Sequence, residues 1–130
     1  MGMLTPLGLG VETNWRRLIA AESGITAITH FDVSDLTSRI AGQVPRGDGA
    51  GAFRPDEFVE PKEQRKNDTF IVYGLVAAKE AIEDSGWVPR TDEERWRSGV
   101  LVGSGIGGLE WLANGALNLE QNGPRRLTPF

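Results

Sequence analysis

Apolar positions recur at helical spacing in three places along the chain. From residue 68 to 85 the sequence is apolar on nearly all sides between Phe70 and Ala78 and turns amphipathic from Lys79 onward, which predicts a helix that must be buried over its first half. Gly74, Ala77, Ala78 and Ala81 form a small-residue strip on it along which another backbone can approach, and Gly86 supplies the stop. A shorter helix is predicted over 11–22, where Trp15, Leu18 and Ile19 share a half-buried face, Arg16, Arg17 and Glu22 lie elsewhere, and Gly24 suits a left-handed residue after the end. A third starts near Leu109, carries Leu112, Ala116 and Leu119 on the same face, and ends at Asn122-Gly123-Pro124.

Period-two and continuous apolar runs are shorter. Ser98-Gly99-Val100-Leu101-Val102-Gly103 reads as a buried strand running into Ser104-Gly105-Ile106-Gly107-Gly108, and 39–44 as a short edge strand interrupted by Gly42. The opening ten residues, broken by Gly2, Pro6, Gly8 and Gly10, read as a loop. Residues 25–38, with the turn formers Asp32, Ser34 and Asp35, read as an irregular connection, 45–61 as a solvated loop mobile at its tip, and 87–97 as a charged connection. Strands mixed with helices place the chain in the α/β class.

Composition narrows the function classes. At 130 residues the chain is one domain in size, and its 39% hydrophobic and 25% charged residues are those of an ordinary soluble protein. A net charge of -4 argues against bulk attraction to nucleic acid or an anionic membrane. The absence of cysteine and the single His30 leave no thiolate nucleophile, no disulfide and no paired imidazole ligands, so no metal is implied. The start of the chain has neither the basic residues nor the apolar run of a signal peptide, and a cytoplasmic location is expected.

Two motifs carry possible chemistry. Gly103-Ser104-Gly105-Ile106-Gly107-Gly108 fits G-x-G-x-x-G between a strand and a helix, the setting in which a pyrophosphate meets a helix N-terminus. The acidic residue that a dinucleotide fold needs about 20 residues later would fall past a helix-ending turn, so a tight turn with close backbone packing accounts for the glycines better. Lys62, Arg65 and Lys66 stand at i, i+3 and i+4, grouping three cations on one side of a helical turn, and Arg125 and Arg126 add a second basic pair. Such clusters can dock an acidic protein even in an acidic chain; solvated surface charge is the plainer alternative. Ser104 reads as a turn residue, and His30 beside Phe31 as structural rather than catalytic.

Taken together, Gly2-Met3-Leu4-Thr5-Pro6-Leu7-Gly8, Trp15 with Ser23-Gly24-Ile25, Lys62-Glu63-Gln64-Arg65-Lys66, Gly103-Ser104-Gly105-Ile106-Gly107-Gly108-Leu109, and Asn122-Gly123-Pro124-Arg125-Arg126-Leu127-Thr128-Pro129-Phe130 resemble the elongating β-ketoacyl-acyl-carrier-protein synthases of class II, in the family's order and spacing. The resemblance spans residues 1–130 and about the first third of a family member. It implies part of a thiolase-like fold, the N-terminal portion of a layered α/β/α/β/α architecture, in a homodimer that extends fatty acyl chains by decarboxylating Claisen condensation with malonyl-acyl carrier protein and needs no dissociable cofactor.

Carried over by position, the resemblance makes Ile106 a residue that lines and gates the acyl pocket, with Gly105 and Gly107 giving its turn room to shift. It makes Lys62, Arg65, Lys66, Arg125 and Arg126 contacts for acyl carrier protein. The family's nucleophilic Cys and two catalytic His match nothing in residues 1–130, and Met1 stands where the family has a first strand, so the isolated chain is expected to be inactive and unstable. A polyketide ketosynthase or its chain-length partner shares much of this segment. A carrier-binding module, and a nucleotide-binding domain over 98–121, are the readings from other classes.

Overall fold

The computed structural model describes residues 1–127. In chain order the elements are β1 (Leu4–Thr5), β2 (Gly8–Leu9), α1 (Val11–Ile19), β3 (Ile25–Ala27), β4 (Ile40–Gly42), a 3-10 turn at Pro55–Glu57, α2 (Pro61–Gln64), α3 (Thr69–Ser85), α4 (Asp92–Trp96), α5 (Leu109–Asn122) and a 3-10 turn at Pro124–Arg126. They form two compact units, one of Met1–Arg54 with Val76–Trp87 and one of Pro55–Leu75 with Val88–Phe130. The mixture of helices and small sheets agrees with a partial α/β fold. No helix among the described residues is long and apolar enough to cross a membrane.

The first unit opens on a hairpin where the glycine and proline pattern suggested a loop: Leu4 pairs with Leu9 and Thr5 with Gly8, antiparallel. Pro6 presets one turn dihedral, and the Thr5 hydroxyl accepts the Leu7 N–H at 3.0 Å. Two residues per strand are too few for alternation to show in sequence. Asn14 fastens this hairpin to α1. Its Nδ2 donates to the carbonyls of Gly8 at 2.9 Å and Gly10 at 2.7 Å, and its Oδ1 accepts the Thr5 hydroxyl.

That arrangement reverses the expected burial of α1. Asn14 is 3% exposed, whereas Trp15, Leu18 and Ile19, expected to be half-buried, lie open. An apolar face is covered only if another element reaches it, and no described segment does; the two carbonyls bring Asn14 inside instead. The left-handed residue comes earlier than expected as well, at Ala21 with φ 55° rather than at Gly24. Gly24 packs against Pro6, 2.7 Å from that ring's Cβ if a Cβ were added.

The edge strand expected at 39–44 is present, shorter, as β4, paired with β3 through Ile25↔Gly42, Thr26↔Ala41 and Ala27↔Ile40. Its partner lies in the stretch read as irregular, again because three residues carry no legible period. The glycine-rich loop that follows is pinned: Phe53 is 1% exposed and donates its N–H to Pro45 O at 2.7 Å, Leu9 N–H reaches Gly51 O at 2.8 Å, and the Arg17 guanidinium reaches Ala50 O at 3.0 Å. The small-residue strip of α3 is used as expected, since Gly2 lies so close that an added Cβ would overlap the Ala77 carbonyl.

In the second unit α3 begins one residue after Asp68, whose carbonyl accepts the Val72 N–H at 3.3 Å, and Val72 is buried. Gly86 ends this helix with φ 62° and Gly123 ends α5 with φ 76°, both in the left-handed region where a missing Cβ removes the steric penalty. The charged connection contains a helix that was not expected, α4, started by a capping box in which Thr91 Oγ1 accepts Glu94 N–H at 3.2 Å and Glu94 Oε2 accepts Thr91 N–H at 3.1 Å.

Residues 98–103 form no strand, contrary to expectation, and Leu101 is 99% exposed. A strand is held by the N–H and C=O groups of its neighbours, and among the described residues of this unit no other strand exists to supply them. Helix α5 has the predicted limits, but Leu109, Leu112 and Leu119 on its apolar face are exposed.

Candidate functional site

All eight residues expected at the acyl pocket or the carrier contact fall in the second unit. Lys62 sits on α2, which Pro61 starts at the first helical position, where its missing N–H costs nothing. Arg65 caps the C-terminus of α2 in helical conformation, and Lys66 continues the turn with its N–H on Glu63 O at 3.0 Å. The three cations, all exposed, are thus carried by one turn as expected.

Two amides hold that turn. Gln64 Nε2 donates to Asp56 Oδ1 at 2.8 Å and to Val59 O at 2.6 Å, tying α2 to the preceding 3-10 turn, and Asn67 Nδ2 donates to Glu63 O at 2.8 Å. Lys66 Nζ pairs with Glu63 Oε1 at 2.7 Å. Exposed pairs of this kind are worth about 0–1 kcal/mol, so a carboxylate on a partner can exchange with Glu63 at little cost. Arg125 and Arg126 are exposed on the 3-10 turn after α5, which Asn118 secures by donating from Nδ2 to Arg126 O at 2.9 Å. The two basic groups belong to separate elements.

Ile106 projects from the 103–108 turn and is 75% exposed, with Gly105 exposed beside it. The turn is shaped by Ser104, whose Oγ accepts Gly107 N–H at 3.1 Å; Ser104 is a turn residue, as its place in the motif suggested. It is seated against the beginning of α3. A Cβ at Gly107 would lie 3.9 Å from Phe70 Cζ, one at Gly74 would lie 4.0 Å from Val102 Cγ1, and one at Gly108 would overlap the Asp68 carboxylate.

Asp68 is the residue that sequence reasoning passed over. It is 9% exposed and lies against the first residue of the α5 N-terminus, where a bound phosphate would have to sit. A carboxylate in that place repels an anion, which counts against the nucleotide reading of the glycines. The only available signal was an acidic residue opening an apolar helix, and that also describes an ordinary N-cap. His30, expected to be structural, is exposed in the first unit beside an open groove of about 430 Å³ that Thr29, Gln43 and Pro45 also line. No group of three His, Cys, Asp or Glu among the described residues could hold a metal.

Residues 1–130 match the family model described as beta-ketoacyl synthase, N-terminal domain. The chain is 48% identical over 130 residues to 3-oxoacyl-[acyl-carrier-protein] synthase 2 of Rhizobium meliloti (strain 1021), covering 99% of this chain and 31% of that protein. It is 43% identical to the protein of the same name from Vibrio cholerae serotype O1, covering 100% of this chain and 30% of that one. Among solved structures it superimposes on the ishigamide ketosynthase/chain length factor with a TM-score of 0.71 at 25% identity, covering 98% of this chain and 30% of that chain. The chain therefore spans a little under a third of the length of the proteins it matches.

Proposed function

Because the chain belongs to the family of β-ketoacyl synthase N-terminal domains, we propose that it is the carrier-docking and pocket-lining part of a 3-oxoacyl-[acyl-carrier-protein] synthase that elongates fatty acyl chains. The observation that carries this reading is the grouping of Lys62, Arg65 and Lys66 on one exposed turn of an otherwise acidic chain, in a sequence whose relatives are named for acyl carrier protein. Basic turns meet acidic helices by steering and by exchange of weak surface pairs such as Lys66 with Glu63.

The reaction implied is a decarboxylating Claisen condensation. An acyl group passes from the carrier's thiol to an enzyme Cys, malonyl-carrier protein loses carbon dioxide, and the carbanion so formed attacks the acyl thioester and expels the Cys thiolate. The chain has no Cys and a single His, so its own residues bind and position: Lys62, Arg65, Lys66, Arg125 and Arg126 hold the carrier, and Ile106, between Gly105 and Gly107, forms one wall of the acyl pocket. The enzyme is proposed to act as a cytoplasmic homodimer. A ketosynthase or chain-length factor of a polyketide pathway is the second reading, favoured by the likeness to the ishigamide protein; the higher identity to the synthase 2 proteins favours fatty acid elongation.

The test is charge reversal at Arg65 and Lys66 in the whole synthase that contains this chain. KM for carrier-bound substrate should rise by about tenfold or more with kcat little changed, because encounter and docking are weakened and the chemistry is not. An unchanged KM, or micromolar binding of ATP or NAD to the parent protein, would falsify the docking reading.

A further inference from the structure

We propose that Asp68 is a positioning residue for the 103–108 turn: its carboxylate is the N-terminal acceptor of α5, and through Gly108 it sets where Ile106 stands. Three observations meet at one place. Asp68 is more than nine-tenths buried, and its Oδ2 has no hydrogen-bond partner among the described residues. That oxygen lies so close to Gly108 that an added Cβ would overlap it. Helix α5 starts directly after Gly108, its N-cap, with no side-chain cap bond, and the first N–H groups of a helix have no partner within it.

A buried carboxylate oxygen in want of donors thus lies against a helix end in want of an acceptor. Both the hydrogen bonds and the positive end of the helix dipole favour their union. The first unit contains the same device already closed. Helix α1 also starts at a glycine, Gly10, with no side-chain cap of its own, and a carboxylate of α3, Glu80, accepts its first N–H at Val11. Glycine at each helix start leaves room for a carboxylate from elsewhere in the chain, and in both cases the carboxylate comes from α3 or the residue that opens it.

The functional consequence rests on the reading of Ile106 as an acyl-pocket wall. With the cap made, Gly108 is held and Ile106, two residues before it, has a defined place; with the cap lost, the turn drifts and the pocket's discrimination between acyl lengths changes.

The experiment uses the whole synthase containing this chain, with Asp68→Ala, Asp68→Asn, Gly108→Ala and Ile106→Phe. Asp68→Ala should change the ratio of kcat/KM for long over short acyl primers by about tenfold, and Asp68→Asn, which keeps an acceptor oxygen, should stay within about threefold of the parent. Amide hydrogen exchange at Leu109, Glu110 and Trp111 should be about tenfold faster in Asp68→Ala and close to the parent in Asp68→Asn. Gly108→Ala, which drives a Cβ onto the same oxygen, should speed exchange without altering Asp68, so the proposal does not hang on one variant. Unchanged exchange in both Asp68→Ala and Gly108→Ala overturns the proposal. If exchange changes and Ile106→Phe alters primer choice but Asp68→Ala does not, Asp68 caps α5 without positioning Ile106, and the proposal fails in that form. If Ile106→Phe itself leaves primer choice unchanged, it is the pocket reading that fails, and the exchange data alone decide the cap.

Discussion

Glu80 caps helix α1 at Val11 from 69 residues away, its Oε1 accepting the Val11 N–H at 2.9 Å while Oε2 accepts the Met3 N–H at 2.8 Å. One carboxylate therefore fixes the start of α1 and the residue just before β1 onto α3, next to the place where Gly2 lies against Ala77. Glu80→Ala should destabilise the protein by about 1–2 kcal/mol, the scale of a lost N-cap with a second unpaired donor. Glu80→Gln retains one acceptor and should lose about half as much. Urea unfolding midpoints measure both, and a Glu80→Ala midpoint equal to the parent's would refute the capping role.

Asn14 should tolerate no apolar replacement despite its place in an amphipathic helix. Asn14→Leu removes the side-chain donor to the Gly8 and Gly10 carbonyls and the acceptor of the Thr5 hydroxyl from a buried site, at a cost of roughly 2–3 kcal/mol. Asn14→Asp is isosteric but sets a carboxylate against two carbonyl oxygens, and should be at least as damaging at neutral pH. Thermal melts of the two variants suffice; a melt of Asn14→Leu at or above the parent's would show that the polar site is dispensable.

Acidification should fray the start of α4 only once the pH falls below the ordinary glutamate value. The Arg90 and Thr91 backbone N–H groups donate to Glu94 at 2.6 and 3.1 Å and hold its carboxyl below the usual glutamate value. A carboxyl whose folded pKa is depressed contributes its stabilisation in full above the ordinary value, and loses it as pH falls through the lowered one. The amide and side-chain NMR shifts of Thr91 and Glu94 should therefore move together over that acidic window. In Glu94→Gln the Thr91 shifts should be flat with pH. A Glu94 titration at or above the ordinary value would contradict the capping box.

Much of the helical structure was legible because long elements repeat their signal. Seventeen residues of α3 display an apolar run, a small-residue strip and a terminal glycine, and α5 lies between glycines at 108 and 123. The capping box of α4 was equally written in Thr91-Asp92-Glu93-Glu94, but charge on every side of five residues resembles a solvated connection. The hairpin β1–β2 and the pair β3–β4 were not legible, since strands of two and three residues have no period to read. The basic turn at Lys62, Arg65 and Lys66 was found from spacing alone. Asp68 and Asn14 were missed because a buried polar residue is recognised by the atoms around it.

The amino-acid sequence by itself determined where α3 and α5 run, which cations share a turn, that neither cysteine nor paired histidine is present, and which family the chain resembles. These follow from local covalent geometry and from residue identity in order, which no distant contact alters. Only the tertiary structure decided which faces are covered. It brought Asn14 inside and left Trp15 and Leu101 in water, and it placed two carboxylates, Glu80 and Asp68, at the starts of helices they do not belong to. Burial and capping in trans depend on what another segment puts within a few ångströms, and a sequence read along one dimension holds no record of that distance.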